Sequence, residues 1–255
     1  MESWHISAQA YLEEQKSTVK LISRKDPNFE ALRVYYALTP SEEPALIARP
    51  QTVEDIQSLI LYCSENKGIS FIVCTGPRSS IGNCKYYDVM WIDMRDIDYV
   101  EVADDEATAK LGGGIAFRGL TNALLEKGFA IPEYVFRSRH GFVSGLLANV
   151  GISATLANAG YTGWTTISPF SARYGLGASQ VVSVKAVNLD GRLVEANGEL
   201  LDTIIQNGGD IGVIVEITIE VCSLKEMFSS SDESSDTDSY NTDAYEADTS
   251  DTDAP

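Results

Sequence analysis

Little in this chain points to a metal centre: 255 residues hold only two histidines and four cysteines. Cys63, Cys74, Cys84 and Cys222 follow neither the dense spacing of a disulfide framework nor a zinc pattern, so they read as four reduced thiols. His5 and His140 are the only imidazoles, and no metal site is expected. Positive charge is also scarce. Lys and Arg total 19 against 37 Asp and Glu, a formal charge of -18, and no basic stripe stands out, which argues against nucleic acid and anionic membrane surfaces as partners. No apolar run is long enough for a membrane span, no Asn-x-Ser/Thr acceptor occurs, and MESWHISAQAYLEEQKS lacks the basic start and apolar core of a secretory signal. The expectation is a soluble, cytoplasmic protein. Ser-His-Asp, Cys-His and paired-carboxylate signatures are missing as well.

What is present supports a sizeable core, since 44% of the residues are hydrophobic. The acidity is uneven. Ser229 to Pro255 carries nine acidic residues and no Lys or Arg, so half of the net charge lies in that stretch. Residues 226–255, rich in Ser, Thr and Asp, have few side chains able to enter a core and read as a disordered acidic tail.

Along the chain, a helix is expected around Ala8 to Leu21, within an N-terminal helical extension of residues 1–39. FEALRVYYAL fits a short helix or an extended run equally well. A short strand at Ala45 to Ala48 precedes Arg49-Pro50. Thr52 then caps a helix, with Asp55 three positions on completing a capping box and Val53, Ile56, Leu59, Ile60 and Cys63 at helical spacing. ISFIVCTG reads as a buried strand running into a glycine loop, and VMWIDM as another strand. IDYVEV and TAKLGGG suggest a hairpin, Ile115 to Lys127 an amphipathic helix ended by Gly128. The stretch from Ile131 to Arg173, rich in small residues, reads as loops and short segments. Strands joined at Leu189-Asp190-Gly191, a short helix from Glu199 to Gln206 and a last strand in IGVIVEITIEV complete the pattern.

Five stretches in this order, PALIARPQTVEDI, FIVCTGPRSSIG, VMWIDMRDIDYVEV, ARYGLGASQVVSVKAVNLDGRLVEA and NGGDIGVIVEITIEVCSL, resemble the flavin domain of the vanillyl-alcohol oxidase and berberine-bridge-enzyme family. The resemblance implies an α+β, PCMH-type FAD-binding fold over residues 40–225, with subdomains at about 40–101 and 107–224. It also implies that Gly76, Arg78, Ser79, Ser80 and Gly82 wrap the flavin pyrophosphate. That role has a physical basis, because glycines let backbone N-H groups converge on an anion and Arg78 can add a charge-assisted contact. Gly141, Gly145 and Gly151, or in a second register Gly151, Gly160 and Gly163, correspond to a glycine cluster beside the cofactor. Tyr174 and Gly175 match a turn before a strand, and Gly212 and Val213 a final segment along the flavin. For each of these glycines, turn geometry required by the fold is an equally good account.

The chain also departs from the family pattern. Arg78 stands where many relatives have the histidine that bonds covalently to the ring, and no cysteine lies between Cys84 and Cys222, so bound FAD is expected to be noncovalent. Pro77 replaces a usual glycine and removes one N-H from the loop. Ala148, Asn149, Asn158 and Ala159 interrupt the second glycine region. Catalytic candidates are His140, whose intrinsic pKa suits proton transfer, with Tyr134 and Tyr174 to orient a substrate or supply a proton. The family's substrate domain has no counterpart in the sequence. Three functions fit: an FAD-dependent oxidoreductase acting on a small organic or secondary-metabolite substrate, a non-redox cyclase or isomerase on the same scaffold, and a noncatalytic ligand-binding or partner-binding protein. A homodimer or partner protein is expected over the face where a substrate domain would pack.

Overall fold

The computed structural model describes residues 2–36, 44–66, 69–74, 89–115, 117–131, 180–206 and 212–225. Helix α1 (Glu2–Glu14), strand β1 (Lys20–Ser23) and helix α2 (Phe29–Tyr36) come first. Strand β2 (Leu46–Arg49), helix α3 (Val53–Glu65), strand β3 (Phe71–Cys74) and strand β4 (Met90–Asp93) follow. These strands form one sheet in the order β1-β2-β4-β3, with β1 antiparallel to β2 and the other pairs parallel. A 3-10 turn at Met94–Asp96 leads out of β4.

A second, antiparallel sheet has the order β5-β6-β10-β8-β9. It comprises β5 (Val100–Val102), β6 (Thr108–Gly112), β8 (Val181–Val187), β9 (Leu193–Ala196) and β10 (Val213–Glu220). Helix α4 (Phe117–Glu126) and strand β7 (Phe129–Ala130) follow β6, helix α5 (Gly198–Gln206) follows β9, and β11 (Cys222–Ser223) pairs with β7.

Both faces of the four-stranded sheet are covered. Leu46, Ala48, Val73, Met90 and Ile92 join Ala8 and Leu12 of α1 and Ile56, Leu59, Ile60 and Cys63 of α3 in the main core. The opposite face carries Ile22, Ile47, Trp91 and Ile72, which are cross-strand neighbours, and Phe29 and Leu32 of α2 pack on it. Alternation at period two thus feeds two separate apolar layers. The main core extends without interruption into the second sheet through Ala109, Leu111, Val184, Ala186, Ile217 and Ile219. Helix α3 also meets the β8–β9 turn, where the Gln57 side-chain amide donates to the Gly191 carbonyl at 2.7 Å.

The capping box expected at Thr52 forms as read, with Asp55 N-H bonded to Thr52 Oγ1 at 3.1 Å. The first helix differs from expectation. It ends at Glu14 instead of continuing to Leu21, and Leu21 enters β1, opposite Ala48. Lys16, at φ 56°, turns the chain into the left-handed region, and the Asp55 carboxylate captures Ser17 and Thr18. Those long-range hydrogen bonds outweigh the weak helix preference of Thr18, Val19 and Ile22. The ambiguous FEALRVYY stretch is helical. The N-terminal residues therefore contribute a strand to the sheet as well as helices.

Candidate functional site

Strands β2, β4 and β3 run in parallel, so their carboxyl ends, Arg49, Asp93 and Cys74, lie along one edge. Crevices beyond such an edge are where open α/β sheets bind ligands. The sequence places the GPRSSIG loop directly after Cys74. Gly76, Arg78, Ser79, Ser80 and Gly82 themselves lie outside the described residues, as do Gly141, Gly145, Gly151, Gly160, Gly175, His140, Tyr134 and Tyr174. Gly212 and Val213 are described.

The edge is held by ions that neutralise one another. Asp93 is fully buried, and Arg95 grips it with Nη2 to Oδ2 at 2.6 Å and Nε to Oδ1 at 2.9 Å. Arg49 Nε lies 3.4 Å from the same carboxylate, while its Nη2 pairs with Asp96. Asp96 also accepts from Gln51 Nε2 at 2.5 Å and pairs with Lys20 Nζ at 3.4 Å. Burial alone raises the Asp96 pKa, but the Gln51 hydrogen bond and the Arg49 and Lys20 charges hold it below the ordinary carboxylate range. This arrangement ties β1, β2 and β4 together. Both carboxylates are engaged by arginines, and Asp96, held low, supplies no general acid at neutral pH. The Cys74 thiol is fully buried; burial pushes its pKa up, the Asp93 charge adds to this and Arg95 opposes it. A neutral thiol there is neither nucleophile nor metal ligand.

Beyond this edge the two sheets meet at glycines. A Cβ on Gly114 would lie 1.7 Å from the Met94 carbonyl oxygen, one on Gly113 2.2 Å from that of Ile214, and one on Gly112 2.3 Å from that of Ile97. Gly112 to Gly114 therefore permit the close crossing of β6, β10 and the turn after β4. Gly212 behaves alike: its φ is +131° and a Cβ would meet the Val187 carbonyl oxygen at 2.2 Å. The packing of β8 on β10 accounts for this glycine. Val213 begins β10, buried and opposite Val187.

Sequence reasoning missed one polar residue. Gln180, at the mouth of β8, is 2% exposed, and neither its Nε2 nor its Oε1 has a hydrogen-bond partner. Its only sequence signal was its position six residues beyond Tyr174 in the stretch matched to the flavin turn. An orphaned amide is a group that a bound molecule can satisfy, so at this point the chain fits a polar ligand. Among the described residues, no helix is long and apolar enough to cross a membrane.

Residues 44–163 match the family model described as FAD binding domain. The FAD-linked oxidoreductase aurO of Gibberella zeae is 29% identical over 217 residues, covering 84% of this chain and 39% of that protein. Berberine bridge enzyme-like D-1 of Nicotiana tabacum is 27% identical over 187 residues, covering 71% and 30%. The solved structure of 6-hydroxy-D-nicotine oxidase from Arthrobacter nicotinovorans overlays with a TM-score of 0.63 at 18% identity, over 81% of this chain and 43% of that one. This last likeness shows the fold. The chain spans about two fifths of the length of aurO.

Proposed function

From the premise that this chain carries the FAD-binding domain of the berberine bridge enzyme-like, FAD-linked oxidoreductases, we propose that it is a noncovalent flavoprotein oxidising a small organic or secondary-metabolite substrate. The observation that carries the reading is the parallel-strand edge ending at Cys74, from which the sequence runs straight into GPRSSIG, within the stretch matched by the family model. Gly76, Arg78, Ser79, Ser80 and Gly82 would hold the pyrophosphate through backbone N-H groups, and the Arg78 guanidinium would add charge. FAD, when bound, supplies the electron acceptor for the substrate. His140 takes a proton from the substrate, and Tyr134 and Tyr174 orient it. Arg78 in place of histidine supports reversible attachment. A dimer mate or a partner protein completes the substrate side, and the four-thiol reading supports a cytoplasmic setting.

A second reading, non-redox catalysis on the same scaffold, draws on Pro77 and on Ala148, Asn149, Asn158 and Ala159 interrupting the glycine region. One experiment separates the two. Protein purified without added cofactor is scanned by ultraviolet-visible spectroscopy before and after denaturation, and any released molecule is identified by HPLC. Stoichiometric FAD released on denaturation is the expected result. A colourless protein that takes up no added FAD overturns the proposal.

A further inference from the structure

Most of the sequence's cofactor and catalytic candidates lie between Ile131 and Gln180. The described body shows where that stretch leaves and returns. Ile131 is buried just after β7, which pairs with β11 beyond the end of β10. Gln180 immediately precedes Val181, which pairs with Ile219 near the same end of β10. Both ends of the stretch are therefore anchored at one end of the five-stranded sheet. Gly212 and Val213 stand at the other end, about 20 Å away at roughly 3.3 Å per strand residue.

Within this setting Gln180 is anomalous. A buried amide with neither its donor nor its acceptor engaged is rare, because burial removes its water without replacing the hydrogen bonds. Elsewhere in the described body, Asp55 and Asp93, the other buried polar residues, are both fully engaged. The neighbours of Gln180 at this end of the sheet have no need of an amide: Val181, which follows it, and Ile219, which pairs with Val181, are apolar. A carboxamide carries one acceptor and two donors in a plane, so its complement is a flat edge with a donor next to an acceptor. The flavin pyrimidine edge and the adenine edge both have this pattern, and glutamine engages adenine in that way when proteins read DNA.

We propose that Gln180 is a direct cofactor contact, its carboxamide hydrogen-bonded to one of these heteroaromatic edges of FAD; this rests on the flavoprotein reading above. The test uses the full chain with Gln180→Met, close in shape but without the amide, and Gln180→Leu should the first variant fail to fold. Thermal midpoints are measured on cofactor-free protein, and FAD affinity by titration, with FMN and ADP as competitors.

Removing an unpaired buried amide leaves the cofactor-free midpoint unchanged or raises it by about 2–4 °C. FAD affinity falls about tenfold. A parallel weakening of FMN places the flavin edge at Gln180; a parallel weakening of ADP places the adenine there. A lower midpoint for the cofactor-free variant means that the amide serves the protein itself and overturns the inference. Unchanged FAD affinity also overturns it while leaving the flavoprotein reading intact. Wild-type protein that takes up no FAD overturns both.

Discussion

The Asp55 carboxylate and the Ser17 hydroxyl, 38 positions apart in the chain, meet at 2.5 Å. The same carboxylate accepts from Thr18 N-H at 2.7 Å, Thr18 Oγ1 at 2.7 Å, Gln51 N-H at 2.9 Å and Thr52 N-H at 3.2 Å. One side chain thus caps α3 and fastens the chain entering β1. Asp55→Ala is expected to cost about 2–3 kcal/mol, a lost cap plus several partly exposed donors left without their acceptor. Chemical denaturation of the two proteins measures it.

Burial by itself raises the Asp55 pKa, but the hydrogen bonds from Ser17, Thr18 and Gln51 outweigh it, and the net shift is downward. A carboxylate depressed in the folded state contributes stability above its unfolded pKa and loses that contribution as pH falls through the folded value. Wild type should therefore lose stability below the ordinary carboxylate range more steeply than Asp55→Asn does. Parallel slopes in acid would show that Asp55 is not the responsible group.

The glycine crossing gives a graded test. Gly114→Ala forces a Cβ to within 1.7 Å of a backbone oxygen, and Gly113→Ala to within 2.2 Å, so neither variant should fold stably. Gly128 has φ +83° but nothing within 4 Å of a Cβ, and its alanine variant should lose only about 1 kcal/mol. Gly119, in α4, meets only Ile115 side-chain carbons at 3.8 and 4.0 Å; alanine there should stabilise by about 0.5 kcal/mol. Thermal melts of the four variants should rank in that order.

The regular elements were legible because their causes are local. Thr52 and Asp55 announce the α3 start, and Leu189-Asp190-Gly191 announces its hairpin, with Gly191 at φ +73°. The end of α1 was illegible, since the group that stops it, Asp55, lies far along the chain. Strands β7 and β11, two residues each, are too short for a period to register. At the site, Gly212 was singled out by resemblance, yet the Val187 carbonyl explains it. Gln180 was passed over because a glutamine before a strand looks like any surface residue until its burial is known.

Thiol chemistry checks the packing of both layers. Burial pushes the Cys63 thiol up to about 12 and the Cys74 thiol higher still. Cys222 is only half-buried, with Sγ 3.4 Å from the Ala130 carbonyl oxygen. Alkylation of native protein at mildly alkaline pH, read by peptide mass mapping, should label Cys222 well before Cys63 or Cys74. Early labelling of Cys74 would contradict its place in the core beneath α2.

On the outward face of the five-stranded sheet, Glu216 accepts from Tyr99 Oη at 2.6 Å and pairs with Lys185 at 2.8 Å. Lys185 in turn stands opposite Glu195, and Lys110 opposite Glu101 and Thr218. Opposite charges across strands keep this face hydrated, and partial exposure limits the Lys185–Glu216 coupling to about 0.5–1 kcal/mol in a double-mutant cycle. Burial first, then the Glu216 hydrogen bond and charge, raise the Tyr99 pKa. A phenol raised in the folded state adds stability below its unfolded pKa and loses it as pH rises through the folded one. Tyr99→Phe should therefore flatten the alkaline end of the stability profile. In Glu216→Gln the Tyr99 ionisation, followed as tyrosinate absorbance against the Tyr99→Phe background, should move to lower pH. If it stays where it is in wild type, burial alone raises the phenol and Glu216 contributes nothing to it.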